Sequence, residues 1–342
     1  MGMDPGPRRR LGRSTVELTR LGFGGAPIGN LFAPVADGDA VRAIEASWRA
    51  GLRYFDTAPL YGHGLSEQRF GRALSGQVRS EFAMSTKVGR LLMPVDTADG
   101  GAYVDVPAFQ PTYDYSYDGA MRSFEASLER LRLDRIDLLL IHDIDAFTHA
   151  EEQPRRYREA MAGAYRALDE LRRSGAVGAI GLGVNDWRVC EQAAADGDFD
   201  GFLVAGRYTL LEQEPLDSFL PLCARRGIGV IAAGVFNSGI LATGPVDGAM
   251  YNYRPAPAGM LDRARRIQEL CRAHGVSLAA AALQFPLLHP AVTSVVLGMR
   301  SEAEVIRNLD LMAADIPEGL WRDLKGAGLL HAAAPTKSAE PP

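Results

Sequence analysis

A rhythm limits most what this chain can become. Short apolar runs of small or β-branched residues alternate with longer amphipathic stretches along nearly all of its 342 residues. Eight runs read as strands: Leu21–Gly25, Arg53–Thr57, Phe82–Val88, Ile136–His142, Ala179–Val184, Gly201–Ala205, Gly229–Ala233 and Thr293–Gly298. Several, such as Asp137-Leu-Leu-Leu-Ile141, are apolar with hardly a break, as expected of a strand covered on both faces in a parallel sheet. Between them, Val41, Ile44 and Trp48 share one helical face, with Asp39 as the expected N-cap and Gly51 as the stop. Met121, Phe124, Leu128 and Leu131 repeat at spacings of three and four, and Leu261, Ala264, Ile267 and Leu270 at spacings of three before Gly275. Eight strands alternating with helices predict an α/β fold of the (β/α)8 TIM-barrel type. A doubly wound sheet is the second choice, because Leu21-Gly-Phe-Gly-Gly25 misses the G-x-G-x-x-G spacing.

Leu11–Gly12 and Thr15–Leu18 are expected to form an N-terminal β-hairpin that closes the bottom of the barrel. Residues 1–10 read as a flexible arm, 11–331 as a single domain, and 332–342, small and proline-rich, as a disordered tail. The aromatic, turn-rich stretch Pro94–Tyr117 reads as a large loop at the barrel's mouth.

Charge and composition narrow the function. A net charge of −5 leaves no basic surplus to neutralise phosphates, so nucleic acid is not an expected partner. Arg8-Arg9-Arg10 is then a solvated part of the arm. No apolar run approaches the ~20 residues of a membrane span, and the start lacks the apolar stretch of a secretory signal. Cys190, Cys223 and Cys271 are scattered without C-x-x-C spacing, which suits a reducing compartment, and the cytoplasm is the expected location. The six histidines include no H-x-H pair, so no metal site is expected. Nothing in the sequence speaks to oligomeric state.

In such a barrel chemistry belongs at the C-terminal ends of the strands. Asp56 ends the second, Tyr61 follows it, Lys87 ends the third and His142 ends the fourth. An ammonium beside a phenol favours phenolate, lowering a pKa that starts near ~10 toward neutrality. Asp56 would hold the lysine charged and oriented, and His142 would donate to a substrate oxygen. Each residue alone reads more simply as an ordinary rim group; four complementary ones on adjacent strand ends reverse that preference.

Phe55-Asp-Thr-Ala-Pro-Leu-Tyr-Gly-His-Gly-Leu-Ser-Glu67 resembles the D-T-A-x-x-Y-G-x-G-x-S-E signature of the aldo-keto reductase superfamily. Ser85-Thr-Lys-Val88, Asp137-Leu-Leu-Leu-Ile-His142 and Gly181-Leu-Gly-Val-Asn185 resemble its lysine, histidine and asparagine segments, in family order. The resemblance spans roughly Leu11 to Leu330. It implies a (β/α)8 barrel that binds a nicotinamide cofactor without a Rossmann domain. Tyr61 would then be the proton donor or acceptor, tuned by Lys87 and Asp56, with His142 orienting the substrate and Asn185 holding the carboxamide.

The resemblance also implies cofactor contacts from Gly25 and Ala26, from the turn Phe236-Asn-Ser-Gly-Ile-Leu241 through Phe236, Ser238, Gly239 and Leu241, and from Gly298, Arg300, Glu304 and Asn308. NADP-preferring relatives carry Lys where Gly298 stands and Arg where Glu304 stands. A carboxylate there repels a 2′-phosphate and accepts from ribose hydroxyls, so NAD is the expected cofactor, with NADP possible. The plainer reading of Ser301-x-x-Glu304 is a capping box. Three positions depart from the pattern: Val184 replaces a serine, Ala205 a glutamine, and Ala233 the aromatic that stacks on nicotinamide.

The segments Ala205–Gln213 and Thr86–Leu92 resemble the branch that oxidises aldoses at the anomeric carbon, giving lactones. The expected partner is therefore a small molecule, a sugar or a pyridoxal-like hemiacetal, with His63 a candidate for a substrate hydroxyl. Tyr113, Tyr115 and Tyr117 would wall the pocket or simply pack their loop. An NADPH-dependent aldehyde reductase and a cofactor-binding regulatory subunit are the remaining alternatives.

Overall fold

The computed structural model describes residues 5–336. Its strands, in chain order, are β1 (Arg8–Arg10), β2 (Glu17–Thr19), β3 (Leu21–Gly24), β4 (Tyr54–Asp56), β5 (Ala83–Val88), β6 (Arg90–Pro94), β7 (Phe109–Tyr113), β8 (Ile136–His142), β9 (Val177–Val184), β10 (Gly201–Ala205), β11 (Gly229–Ala233), β12 (Met250–Tyr251), β13 (Arg254–Pro255) and β14 (Val292–Gly298). Eight of them close a parallel barrel in the order β3-β4-β5-β8-β9-β10-β11-β14, with β14 pairing back onto β3. These eight correspond to the eight runs read from the sequence, within a few residues at their ends. Both faces of β8 are apolar because both are covered: Leu138 and Leu140 join the barrel's inner cluster, while Leu139 and Ile141 join the larger core beneath the helices.

The lower mouth is plugged by the N-terminal hairpin. Here the strand boundaries differ from expectation. The pairing runs between Arg8–Arg10 and Glu17–Thr19, so the last residues of the supposed arm are a strand; residues 1–4 lie outside the described part. Leu11, Val16 and Leu18 enter the barrel's inner cluster with Tyr54, Leu138, Ala179 and Ile231. Gly12, at φ +56°, passes so close to the Asp200 and Gly227 carbonyls that a Cβ would sit 2.5 and 2.6 Å from them. Only glycine suits both that conformation and that approach.

Three further expectations need correction. Asp39 does not cap its helix: the helix Asp37–Arg49 starts after Ala36 without a side-chain cap, and Asp39 lies in the first turn, where a carboxylate complements the helix dipole. The tail begins as ordered chain, since Ala334 is 1% exposed; residues 337–342 lie outside the described part. The stretch 94–117 is not a plain loop. Its two ends form the antiparallel ribbon β6–β7, and its middle folds back so that Tyr103 bridges Leu31. That fold-back shapes the functional end.

Candidate active site

The strand ends do converge. Lys87 Nζ donates to both carboxylate oxygens of Asp56, each at 3.0 Å, and to the Thr57 carbonyl at 2.7 Å. Ser85 Oγ donates to the same carboxylate at 2.7 Å. All three ammonium donors are thus used by a pair almost sealed from solvent. The ring of Tyr61 lies over this pair, its centroid 4.8 Å from Nζ. His142 meets the Tyr61 ring edge-on at 5.9 Å, and Tyr103 stacks on it at 6.3 Å.

The electrostatics differ from the expectation for Tyr61. Burial, reinforced by the Asp56 charge, raises its phenol well above the ordinary tyrosine value. The ammonium is spent on Asp56, and desolvation of the phenolate outweighs what remains. His142 is pushed the other way: burial, then the Arg90 and Lys87 charges, holds its imidazole well below the ordinary value. The site therefore presents a neutral phenol and a neutral imidazole, each able to donate one hydrogen bond.

A cavity of about 470 Å³ opens over these groups, lined by Ala26, Leu60, Tyr61, Lys87, Tyr103, His142, Asp143, Phe147, Val184, Asn185, Leu203 and Ala205. Leu31, Phe32 and Tyr253 form a wall shared with a second cavity of about 670 Å³. Phe236, Ser238, Gly239, Gly298, Arg300, Glu304, Arg307 and Asn308 line the second one. There Asn237, Ser238 and Gly239 take successive φ values of +45°, +59° and +103°. Consecutive left-handed residues make the concave backbone turn that suits an anion. With two guanidinium groups and an amide among its lining, this second cavity, which shares a wall with the Tyr61 cavity, fits a dinucleotide.

Not every expected residue is placed at the site. Gly25 lines neither cavity: a Cβ there would lie 2.4 Å from Ser66 Oγ, so it is a packing glycine under Phe70. Leu241 is fully buried in the main core. His63 turns away from the cavity, its Nδ1 2.6 Å from the Phe109 carbonyl, where it ties the β6–β7 ribbon to the loop after β4. Tyr115 is buried and donates to the His142 and Asp143 carbonyls, and Tyr117, the first residue of the helix Tyr117–Leu131, donates to Glu170; neither walls the pocket. Glu304 caps its helix as the plainer reading held, accepting from the Arg300 amide at 2.7 Å while its own amide donates to Ser301 Oγ, yet it also lines the second cavity.

Tyr103, Phe32, Phe147, Tyr253 and Asp143 were not legible as site residues. Four are aromatics on excursions whose folding back is tertiary. Asp143 directly follows His142, and that adjacency was the one signal available for it.

The matching family model, the Aldo/keto reductase family, covers residues 20–327. Pyridoxal 4-dehydrogenase of Microbacterium luteolum is 41% identical over 96% of this chain and 100% of its own. D-threo-aldose 1-dehydrogenase of a Pseudomonas species is 43% identical over 92% and 95%. L-galactose dehydrogenase of Arabidopsis thaliana is 30% identical over 88% and 86%. In fold, the chain resembles an aldo-keto reductase from Bacillus halodurans with a TM-score of 0.70 at 24% identity, covering 97% of this chain and 98% of that one. The chain belongs to the aldo/keto reductase family of oxidoreductases.

Proposed function

We propose that the protein is an NAD-dependent dehydrogenase that oxidises a cyclic hemiacetal, first of all the anomeric carbon of an aldose, to the lactone. The observation that carries this reading is the Lys87–Asp56 pair beneath the ring of Tyr61, beside a neutral His142, in a cavity continuous with a dinucleotide-sized groove. A nicotinamide dinucleotide, when bound, would supply the hydride acceptor. Ala26, Asn185, Phe236, Ser238, Gly239, Arg300 and Asn308 would hold it. His142 donates to the hemiacetal oxygen and fixes the carbinol carbon. As that carbon loses its hydrogen with the bonding pair, the phenolate form of Tyr61, reached by loss of its phenol proton to solvent, takes the hydroxyl proton at Oη and the C–O bond becomes the lactone carbonyl. Because burial raises the Tyr61 pKa, oxidation speeds up with rising pH through the neutral range, while His142 adds no inflection near its ordinary value.

NAD is favoured over NADP at the far end of the groove. Arg300 faces Glu304 at 3.2 Å, so a 2′-phosphate would meet a guanidinium already paired and a carboxylate that repels it. The cytoplasmic setting and a small-molecule partner follow the same reading; the three cysteines are free and buried.

A second substrate, pyridoxal in its hemiacetal form, is favoured by one feature: Phe32, Tyr61, Tyr103, Phe147 and Tyr253 surround the cavity with rings. A flat heteroaromatic ring suits such walls. Both substrates belong to one reaction class. L-fucose, D-arabinose, L-galactose and pyridoxal, each tested with NAD and NADP and read by cofactor absorbance, separate them. Turnover of sugars with NAD is the expected result. Turnover of pyridoxal alone selects the second substrate, and tighter binding of NADPH than NADH turns the reading to an aldehyde reductase. No turnover of any of them, or of simple aldehydes, overturns the dehydrogenase.

A further inference from the structure

We propose that Asp143 is a positioning residue for this reaction: with Arg90 behind it, its carboxylate keeps the Nε2–H tautomer of His142 facing the cavity and fixes the side-chain amide of Asn185. The inference rests on the reading of His142 as the donor to substrate.

Asp143 is the first residue after β8 and stands at φ +51°, a conformation an L-residue rarely keeps unless its surroundings impose it. Here they do. Its amide donates to the Gly183 carbonyl at 2.9 Å. The Tyr115 hydroxyl donates to the carbonyls of His142 and Asp143 at 2.8 and 3.1 Å. This left-handed turn sends the carboxylate into the wall of the Tyr61 cavity, where three groups meet it. Arg90 donates to Oδ2 at 2.8 Å. Asn185 Nδ2 donates to Oδ1 at 3.1 Å. His142 Nε2 lies 3.5 Å from Oδ2.

The last distance matters most. It is too long for a full hydrogen bond, yet close enough for a carboxylate to decide where a neutral imidazole keeps its proton. A lone pair on Nε2 would point at a negative charge; an N–H there points favourably. Since the bond to Asp143 is incomplete, the N–H stays free to serve a substrate oxygen. The imidazole is held neutral by burial and by the Arg90 and Lys87 charges, so tautomer choice, rather than protonation, is what the carboxylate controls. A purely structural Arg–Asp pair would need neither the strained turn into the cavity nor the contact to Asn185, whose backbone amide is held separately by Asp145 Oδ2 at 2.5 Å.

The test is ¹⁵N spectroscopy of the full chain labelled at histidine, whose six residues are few enough to assign with a His142→Gln control. The wild type is expected to show Nε2 protonated and Nδ1 bare at neutral pH. In Asp143→Asn the side-chain amide can donate to Nε2, so His142 is expected to move to the Nδ1–H form. Hydride-transfer kcat should then fall about 100-fold or more with the substrate KM little changed, as a misplaced imidazole tautomer costs in other enzymes. A wild type with Nδ1–H, or a variant that keeps Nε2–H and a kcat within about twofold, overturns the proposal. Should Asp143→Asn fail to fold around the unpaired Arg90, the wild-type spectrum still decides. Failure of the dehydrogenase reading looks different: the wild type turns over no hemiacetal or carbonyl, whatever its tautomer.

Discussion

The two ends of this barrel are built on opposite principles. At the bottom, Leu11, Val16 and Leu18 fill the opening with fully apolar, close-packed contacts. At the top, ionisable groups and cavities take the same central position. Backbone strain follows the division: among the described residues, every non-glycine residue with positive φ except Arg132 lies on a segment leaving the top of a strand, from Asn30 and Phe32 to Asn252 and Tyr253. One end stores stability and the other spends it on conformations that few sequences hold unaided. A barrel separates the two cleanly, because each strand contributes its opposite ends to them.

If the division is real, single substitutions should break one end without the other. The largest expected effect is at the top. Tyr61→Phe removes only a hydroxyl and should cut turnover by about 10³-fold or more while leaving NADH affinity and the melting temperature nearly unchanged. Steady-state rates and dinucleotide titration check this, and near-normal activity would remove Tyr61 from its proposed role. Leu18→Ala is the counterpart at the bottom. Its side chain is fully buried in the plug, so the cavity left behind should cost about 3 kcal/mol in a denaturant titration, with kcat per folded molecule unaltered. A loss of kcat at constant fold would show the two ends to be coupled.

Acid should act on both ends through buried histidines. His289, just before β14 on the bottom side, has its pKa lowered to about 4 by burial, and its Nδ1 accepts the Ala291 amide at 3.2 Å. The unfolded chain takes up a proton near pH 6.5 that the folded chain refuses until about pH 4. The stability this imidazole contributes is therefore complete above pH 6.5 and is lost as pH falls through that window, on the order of 2 kcal/mol. His289→Asn, which keeps an acceptor for Ala291, should flatten that part of the pH–stability curve; an unchanged slope would assign the acid loss elsewhere.

What the sequence made legible follows the same physics. The eight barrel strands could be read because burial on both faces leaves a local apolar signature, and Asp56, Lys87 and His142 could be read because they end those runs. The ribbon β6–β7 was missed because Phe109-Gln-Pro-Thr-Tyr113 has no alternation of its own and is a strand only through its pairing with Arg90–Pro94. Tyr103 was missed for the same reason, since its place over Tyr61 depends on the bridge to Leu31. The raised pKa of Tyr61 was missed because proximity of a lysine can be inferred from strand order, whereas desolvation depends on everything packed around the ring. His63 was misplaced because a histidine beside a reactive tyrosine reads the same whether it faces a cavity or a carbonyl.

The smallest expected effect tests how far the top end divides again, into a reacting part and a part that only selects the cofactor. Glu304 serves two purposes: it accepts from the Arg300 amide at the start of the helix Glu302–Ala313, and it lines the groove. Glu304→Arg should lose part of the cap, about 1 kcal/mol or less, and replace the carboxylate that pairs with Arg300 by a further cation in the lining. Relative affinity should then move toward NADPH by about tenfold, measured by fluorescence titration of both reduced cofactors, with kcat for the preferred substrate nearly constant. The cation cannot be restored at position 298 instead. A Cβ there would lie 2.5 Å from Pro27 Cγ, so any side chain at 298 must first displace the loop that follows β3. A variant that loses stability but keeps its cofactor preference would leave Glu304 as a helix cap alone, and selection of the dinucleotide would then fall to Arg300, Arg307 and Asn308.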